Sequence, residues 1–390
     1  MRIPLIVGLV PVLVWLYLLG ARGGFWRVAR SVDFTLPHTT PRRVVAIIPA
    51  RNEAAAVGVA VRSLLQQDFA GSIHVIVVDD GSLDGTAEVA AQAAADLAAR
   101  DRLTLLRGSA LPSGWSGKVW AVSQGVAAAE LHAPDYLLLT DADIKHDVTN
   151  VARLVAHADA HARDLVSYMV RLSVSNRAER CLIPAFVFFF FMLYPPAWVA
   201  STRARTAGAA GGCMLVRPAA LARAGGLQAL GGALIDDCAL ARVMKRAGGR
   251  IWLGLSPTTR SLRVYGSWSE ILGMISRTAF SQLRHSYALL AATLAGLFTA
   301  YLLPPLLLCS GAPVLVVLGG SAWALMSFAY LPMVRFYRIS PLWSLCLPGI
   351  ACFYALATAH SAVQYARGRG GAWKGRIQDA RALPETLPPP

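Results

Sequence analysis

Three acidic clusters recur in a fixed order along this chain. Asp79-Asp80 follows the apolar run His74–Val78, Asp141-Ala142-Asp143 follows Tyr136–Thr140, and Asp236-Asp237 precedes a helical pattern, with Glu53 ahead of them all. Only 22 of 390 residues are acidic, so these clusters are not the by-product of an acidic surface. Carboxylates resist burial unless paired, so the strands that carry them must finish at a shared polar edge.

The intervening pattern supplies such an edge. Val44-Val45-Ala46-Ile47-Ile48-Pro49 reads as a buried strand closed by the turn Ala50-Arg51-Asn52-Glu53, and 54–67 suits a helix with Val57, Val61, Leu64 and Leu65 on one face. A strand over 74–78, an Ala-rich helix over 86–99, and strands over 103–106 and 136–140 follow. This alternation predicts an α/β fold with a parallel sheet, whose ligands bind beyond the carboxyl ends of the strands.

The rest of the chain is not that of an ordinary soluble enzyme: 55% of residues are hydrophobic, 15% are charged, and mean hydropathy is +0.49. The composition predicts a membrane protein with a soluble middle. Residues 3–19 are uncharged and, with Gly20 and Ala21, long enough for an N-terminal transmembrane anchor over 1–21. A cleaved signal peptide is the alternative, but Arg22, Arg27, Arg30, Arg42 and Arg43 follow the run whereas only Arg2 precedes it. The positive-inside rule then places the middle, 42–286, in the cytoplasm, at the cell's inner membrane.

Residues 287–364 hold three more apolar segments, 287–309, 313–333 and 341–364, and 365–390 form a basic, then Pro-rich tail. Three crossings would put that tail outside, against its own charge. An even number of crossings, with the segment containing Pro304-Pro305 re-entrant, resolves the conflict. The apolar run 181–200 would separate Asp141 from Asp237 if it crossed the bilayer. It is expected to be an interfacial segment with Phe186 and Phe188–Phe191 in lipid, or else a buried core helix. The net charge of +15 rests on scattered Arg with only four Lys, without the basic stripe and interleaved aromatics that nucleic-acid binding requires. The six Cys form no C-x-x-C pair and read as buried thiols.

Carboxylates at strand ends suit a divalent cation, Mg²⁺ or Mn²⁺, which takes one or two carboxylates plus phosphate oxygens. Asp141 and Asp143 can offer one carboxylate to the metal and the other to a ribose or a metal-bound water. Asp-x-Asp alone is a weak signal, because turns are rich in Asp. Its position after an apolar strand, with a second pair ending an earlier strand, strengthens it.

Five ordered stretches, VVAIIPARNEAAAVGVAVRSLLQQ, VIVVDDGSLDGTAEVA, GWSGKVWAVSQG, YLLLTDADIKHD and LIDDCALARVMKRAGG, resemble the motifs of inverting family 2 glycosyltransferases of the GT-A fold, over about 44–285. The whole layout, with WLYLLGARGGFWR near the start and RTAFSQLRHS later, further resembles the hopene-associated glycosyltransferases of hopanoid-making bacteria. The resemblance implies a nucleotide-sugar donor, a UDP-sugar first, with a membrane lipid as acceptor. It puts Pro49, Arg51, Asn52 and Glu53 around the nucleotide, Asp80 against the uracil, and Lys118 beside the diphosphate, where a surface lysine is the bland alternative. Asp237 becomes the general base. Asp236, Gly211 and Gly212 line the acceptor pocket, although either Asp could instead simply cap the helix that follows. Processive members carry Gln-x-x-Arg-Trp, whereas this chain has Gln282-Leu283-Arg284-His285. Arg284 is the candidate replacement, with Arg277 its competitor, and the departure implies transfer of a single sugar. Ceramide-like or polyprenyl acceptors are alternatives to a hopanoid. A nucleotide-sensing scaffold without catalysis is disfavoured by the intact carboxylates, and a transporter by the scarcity of charge in the C-terminal apolar region.

Overall fold

The computed structural model describes residues 2–30, 41–231, 236–368, 372–373 and 376–377. Most of the tail 365–390, residues 31–40 of the basic flank and the side chain of Asp236 lie outside the described residues. The chain divides into two compact units, a helical one from Met1–Ser31, Ser173–Ala197 and Val264–Ala372, and an α/β one from Val32–Leu172, Trp198–Arg263 and Trp373–Pro390. These boundaries differ from those expected. Residues 173–197 and 264–286, read from sequence as parts of the α/β domain, group with the apolar helices.

In the helical unit the reason is visible in the helix Arg177–Leu193. Phe188 and Phe191 are fully buried rather than lipid-facing, which corrects the expectation for those two side chains. Phe188 packs on Phe25 and Tyr330, Phe189 on Tyr354, and the Tyr354 hydroxyl donates to the Leu182 carbonyl at 2.9 Å. The helix thus spends its aromatic face on neighbouring helices. Three helical stretches, Tyr287–Leu308, Pro313–Phe336 and Pro341–Ala366, are long and apolar enough to cross a membrane. The first does not break at Pro304-Pro305. Proline has no N–H to offer the carbonyl four residues back, and the helix passes through a π turn at Phe298–Leu302 just before the pair. The Ala300 carbonyl, which Pro304 could not serve in an α-helix, accepts instead from Trp15 Nε1 at 2.8 Å, and Trp15, on the N-terminal helix Arg2–Gly20, is fully buried.

Among the described residues, the α/β unit is built on one eight-stranded sheet. Its strands are β1 (Arg43–Ala50), β2 (Ser72–Asp79), β3 (Leu103–Arg107), β4 (Tyr136–Leu139), β5 (Ile144–Lys145), β6 (Leu165–Arg171), β7 (Met214–Val216) and β8 (Ile251–Ser261). They lie in the order β3-β2-β1-β4-β7-β6-β8-β5. β1 pairs in parallel with both β2 and β4, whereas β7 runs antiparallel between β4 and β6. All of β1 but Arg43 is buried, as expected for a strand covered on both faces. Register aligns Ala50 with Asp79 and Ile47 with Leu139, and Thr140 N–H donates to the Ile47 carbonyl at 3.2 Å. The turn 51–53, Asp80 and Asp141 therefore leave the sheet at one edge.

The sheet is mixed and curled, and the chain explains why. β4 and β5 sit four places apart in the order, yet Leu139 and Ile144 are only five residues apart in sequence. A flat sheet would separate them by roughly 19 Å at about 4.8 Å per strand, more than five extended residues reach, about 17 Å. Asp141-Ala142-Asp143 is the strap that holds the curl.

The helix Gly117–Ala129 covers β1 and β2 and carries Lys118 in its first turn. It can lie that close because residue 125 is glycine: a Cβ there would stand 2.5 Å from Ile47 Cγ2 and 3.1 Å from Val78 Cγ2. Gly125→Ala should therefore destabilise the protein. Alanine gains about 1 kcal/mol of helix propensity, but overpacking costs about 1–3 kcal/mol, and the β-branched Ile47 on a buried strand has little room to yield. Thermal unfolding of the purified chain checks this; an unchanged or raised midpoint would refute the tight packing.

Candidate active site

The site lies at the carboxyl edge of β1, β2 and β4 and is built from short-range turn chemistry. Asn52 adopts a left-handed conformation (φ 52°), which Asn tolerates better than most residues. Its amide oxygen accepts from Leu83 N–H at 2.9 Å, and its own N–H donates to Ser82 Oγ at 3.0 Å. Glu53 N–H donates to Thr86 Oγ1 at 2.9 Å, and Ala54 N–H to Asp84 Oδ2 at 3.0 Å. The Glu53 side chain makes no capping bond to the helix it precedes. The loops after β1 and β2 are thereby stitched together, with Asp79 supporting its own turn by accepting from Ser82 N–H at 2.9 Å. Ser82, Asp84 and Thr86 carry much of this stitching, and the sequence reading gave them no role.

Asp80 is 5% exposed and has Arg51 beside it. Arg51 Nη1 stands 3.5 Å from Asp80 Oδ2 and donates to the Asp80 carbonyl at 2.5 Å. Arg51 and Asp80 thus join the turns that follow β1 and β2.

Lys118 and Asp141 meet directly, Nζ to Oδ1 at 2.8 Å. Ser116 Oγ caps the lysine's helix by accepting from Val119 N–H, which fixes the helix start beneath the ammonium group. Pro49, Lys118, Asp141 and Gly211 line one small cavity, floored by apolar side chains that include Met214 and Leu240. Burial, then the charges of Asp141 and Glu53, raises the Asp143 carboxyl to about 6. Asp143 is also tied into the strap, its carbonyl accepting from Leu262 N–H at 2.7 Å.

Asp237 lies near the start of the helix Asp236–Arg246. Its Oδ2 accepts from Gly211 N–H at 2.8 Å and its Oδ1 from Cys238 N–H at 2.7 Å. Gly211 lies close to both charged groups: a Cβ there would stand 3.3 Å from Lys118 Nζ and 3.4 Å from Asp237 Oδ2. A Cβ at Gly212 would stand 3.3 Å from both Ile144 Cδ1 and Val170 Cγ2. Lys118, Asp141, Gly211 and Asp237 thus converge from four distant stretches of chain. Arg284 belongs to the helical unit, where it and His285 take a left-handed turn (φ 52° and 56°) after the helix Trp268–Gln282.

The carboxylate set suits a divalent cation. Among the described residues no group of three or more His, Cys, Asp or Glu side chains could hold a metal ion, and a hard cation bound with a nucleotide takes only one or two protein carboxylates, the rest of its shell being phosphate and water. A cation there would favour the ionised form of Asp143, which burial and the neighbouring carboxylates oppose.

Comparison with known proteins bears on the fold. No curated protein matches the sequence. By structure, the chain is similar to a mannosyltransferase from Pyrobaculum calidifontis solved with GDP-Man and Mn²⁺, at 17% identity and a TM-score of 0.55, covering 92% of this chain and 99% of that one. It is also similar to mannosyl-3-phosphoglycerate synthase from Rubrobacter xylanophilus, at 16% identity over 69% of this chain and 78% of that one, TM-score 0.39. Glucosyl-3-phosphoglycerate synthase from Mycobacterium tuberculosis, solved with Mn²⁺, UDP and glucosyl-3-phosphoglycerate, aligns at 17% identity over 63% and 86%, TM-score 0.39. Residues 45–223 match the profile described as Glycosyl transferase family 2, and the curled mixed sheet with its acidic carboxyl edge has the GT-A fold of glycosyltransferases.

Proposed function

We propose that this chain is a membrane-bound inverting glycosyltransferase that moves one sugar from a nucleotide sugar, first a UDP-sugar, to a hydroxyl of a membrane lipid, with a hopanoid the class favoured by the sequence resemblance. The observation that carries the reading is the convergence of the Lys118–Asp141 pair with the Gly211–Asp237 contact at the sheet's carboxyl edge. The lipid acceptor is supported by apolar helices of membrane-spanning length in the same chain.

In this reading Asn52, Glu53, Asp80 and Arg51 bind the nucleotide, and Lys118 balances charge on the diphosphate. Asp143 and Asp141 would hold a Mg²⁺ or Mn²⁺ ion, which supplies further neutralisation of the leaving diphosphate. The acceptor hydroxyl oxygen attacks the anomeric carbon as the bond to the diphosphate oxygen breaks, and its proton passes to the Asp237 carboxylate. The bonds from Gly211 N–H and Cys238 N–H fix that carboxylate's orientation. Gly211 and Gly212 leave room for the acceptor, and Asp236 is assigned to the same pocket. Arg284 is assigned to the diphosphate.

Asp237→Asn should lower transfer by about 10²–10⁴ while UDP still binds with wild-type affinity by calorimetry. Wild-type turnover in membranes supplied with total lipid extract and radiolabelled UDP-sugars would sink the assignment.

Transfer should stop in excess EDTA and return with Mg²⁺ or Mn²⁺, and Asp143→Ala should weaken metal-dependent binding of UDP, because the diphosphate charge is then less well neutralised. Undiminished transfer in EDTA would contradict the assigned metal role.

The basic flanks lead us to propose that the catalytic unit and the tail both face the cytoplasm. A reporter active only in the cytoplasm, fused after Pro390, should be on. A signal from a periplasmic reporter at that position instead would mean that an odd number of C-terminal segments cross.

A further inference from the structure

Behind the acidic strap runs a row of buried polar side chains that the transfer step does not touch. Thr140 is 2% exposed, His146 3%, Asn150 2%, and Thr259 is fully buried. Thr140 Oγ1 lies 2.7 Å from the Gly212 carbonyl and 3.0 Å from His146 Nε2. His146 Nδ1 lies 3.0 Å from Asn150 Nδ2, and Asn150 Oδ1 accepts from the Thr259 hydroxyl at 2.9 Å.

The direction of every bond in this row is set by the Gly212 carbonyl at one end. A carbonyl can only accept, so the Thr140 hydroxyl donates to Gly212. The hydroxyl must then receive a hydrogen from His146 Nε2, which leaves Nδ1 to accept from the Asn150 amide. The ring is therefore neutral with its hydrogen on Nε2, in keeping with burial that lowers its pKa to about 3. The ring's backbone is held as well, since His146 N–H donates to Ser63 Oγ at 3.0 Å.

The Thr140–Gly212 end of the row matters for the site. Thr140 directly precedes Asp141, which meets Lys118. Gly212 directly follows Gly211, whose N–H holds Asp237. Apolar packing could join the strand end to the turn, but it has no direction and tolerates sliding. Burying this many polar groups is unfavourable unless each is satisfied, and a satisfied row rigidifies what it joins. From this placement we infer that His146, acting through Thr140, is a positioning residue for sugar transfer. It locks the strand end that carries Asp141 to the Gly211-Gly212 turn that orients Asp237, and so sets the gap between the donor-side carboxylate and the base.

The inference rests on the proposed glycosyl transfer, and its test separates the two. Thr140→Val keeps the volume and removes the hydroxyl, whereas Thr140→Ser keeps the hydroxyl. His146→Asn retains an acceptor near the place of Nδ1 and loses the Nε2 donor, whereas His146→Gln keeps a donor at the reach of Nε2. Two measurements on the purified full chain are needed, the release of UDP from UDP-glucose in water with Mn²⁺ and hydrogen–deuterium exchange of peptides that contain Gly211-Gly212.

Thr140→Val and His146→Asn should each lower kcat by about 10- to 100-fold, the scale of a small misplacement of reacting groups. KM for UDP-glucose should stay within about twofold, and Gly211-Gly212 should exchange faster. Thr140→Ser and His146→Gln should recover most of the rate, and Thr140→Val combined with His146→Asn should be no worse than either alone, because both break one chain. The inference is overturned if Thr140→Val keeps both wild-type kcat and wild-type exchange, or if the Val and Ser variants lose rate equally. If the wild type releases no UDP, the donor assignment fails, and exchange alone decides whether the row fixes the turn: faster exchange in Thr140→Val and His146→Asn supports the lock, unchanged exchange removes it.

Discussion

The register of three parallel strands is the constraint on which the rest of the α/β unit depends. Ala50 lies opposite Asp79, and Ile47 opposite Leu139, so three separate turns leave the sheet at one level. A slip of one residue would invert every side chain on a strand, and β1 is buried nearly throughout. The apolar interior therefore fixes where the polar edge falls, and the carboxylates inherit their spacing from it.

That edge carries more negative charge than its burial favours. Burial, and then the charges of Asp141 and Glu53, raise the Asp143 carboxyl. Lys118 offsets part of the charge, and it reaches Asp141 because Gly125 lets its helix settle close to Ile47 and Val78. Gly211 sits opposite, where a Cβ would stand 3.3 Å from Lys118 Nζ and 3.4 Å from Asp237 Oδ2.

Much of this was legible in the sequence where local pattern and tertiary role coincide. β1, β2, β3 and β4 were found to within two residues at each end because each is an apolar run closed by a polar turn. The Phe-rich run was read less well: Phe188 and Phe191 are equally content in lipid or against other helices, and composition cannot tell which. The Gly211–Asp237 contact spans 26 residues and uses a backbone N–H, which leaves no mark on residue type. His146 was passed over for the same reason, because its partner Thr140 reads simply as the end of a strand and the carbonyl that Thr140 serves lies 72 residues away.

The bond from Trp15 to Ala300 has a bearing on how such a chain is made. Until the helix Tyr287–Leu308 meets Trp15, the Ala300 carbonyl lacks the donor that Pro304 cannot provide, and an unpaired carbonyl is costly in hydrocarbon. The helix that supplies that donor begins at Arg2 and is synthesised first. By the time the later segment emerges from the ribosome, the side chain that pairs with its carbonyl has already been made, in a helix that ends 267 residues before this one begins.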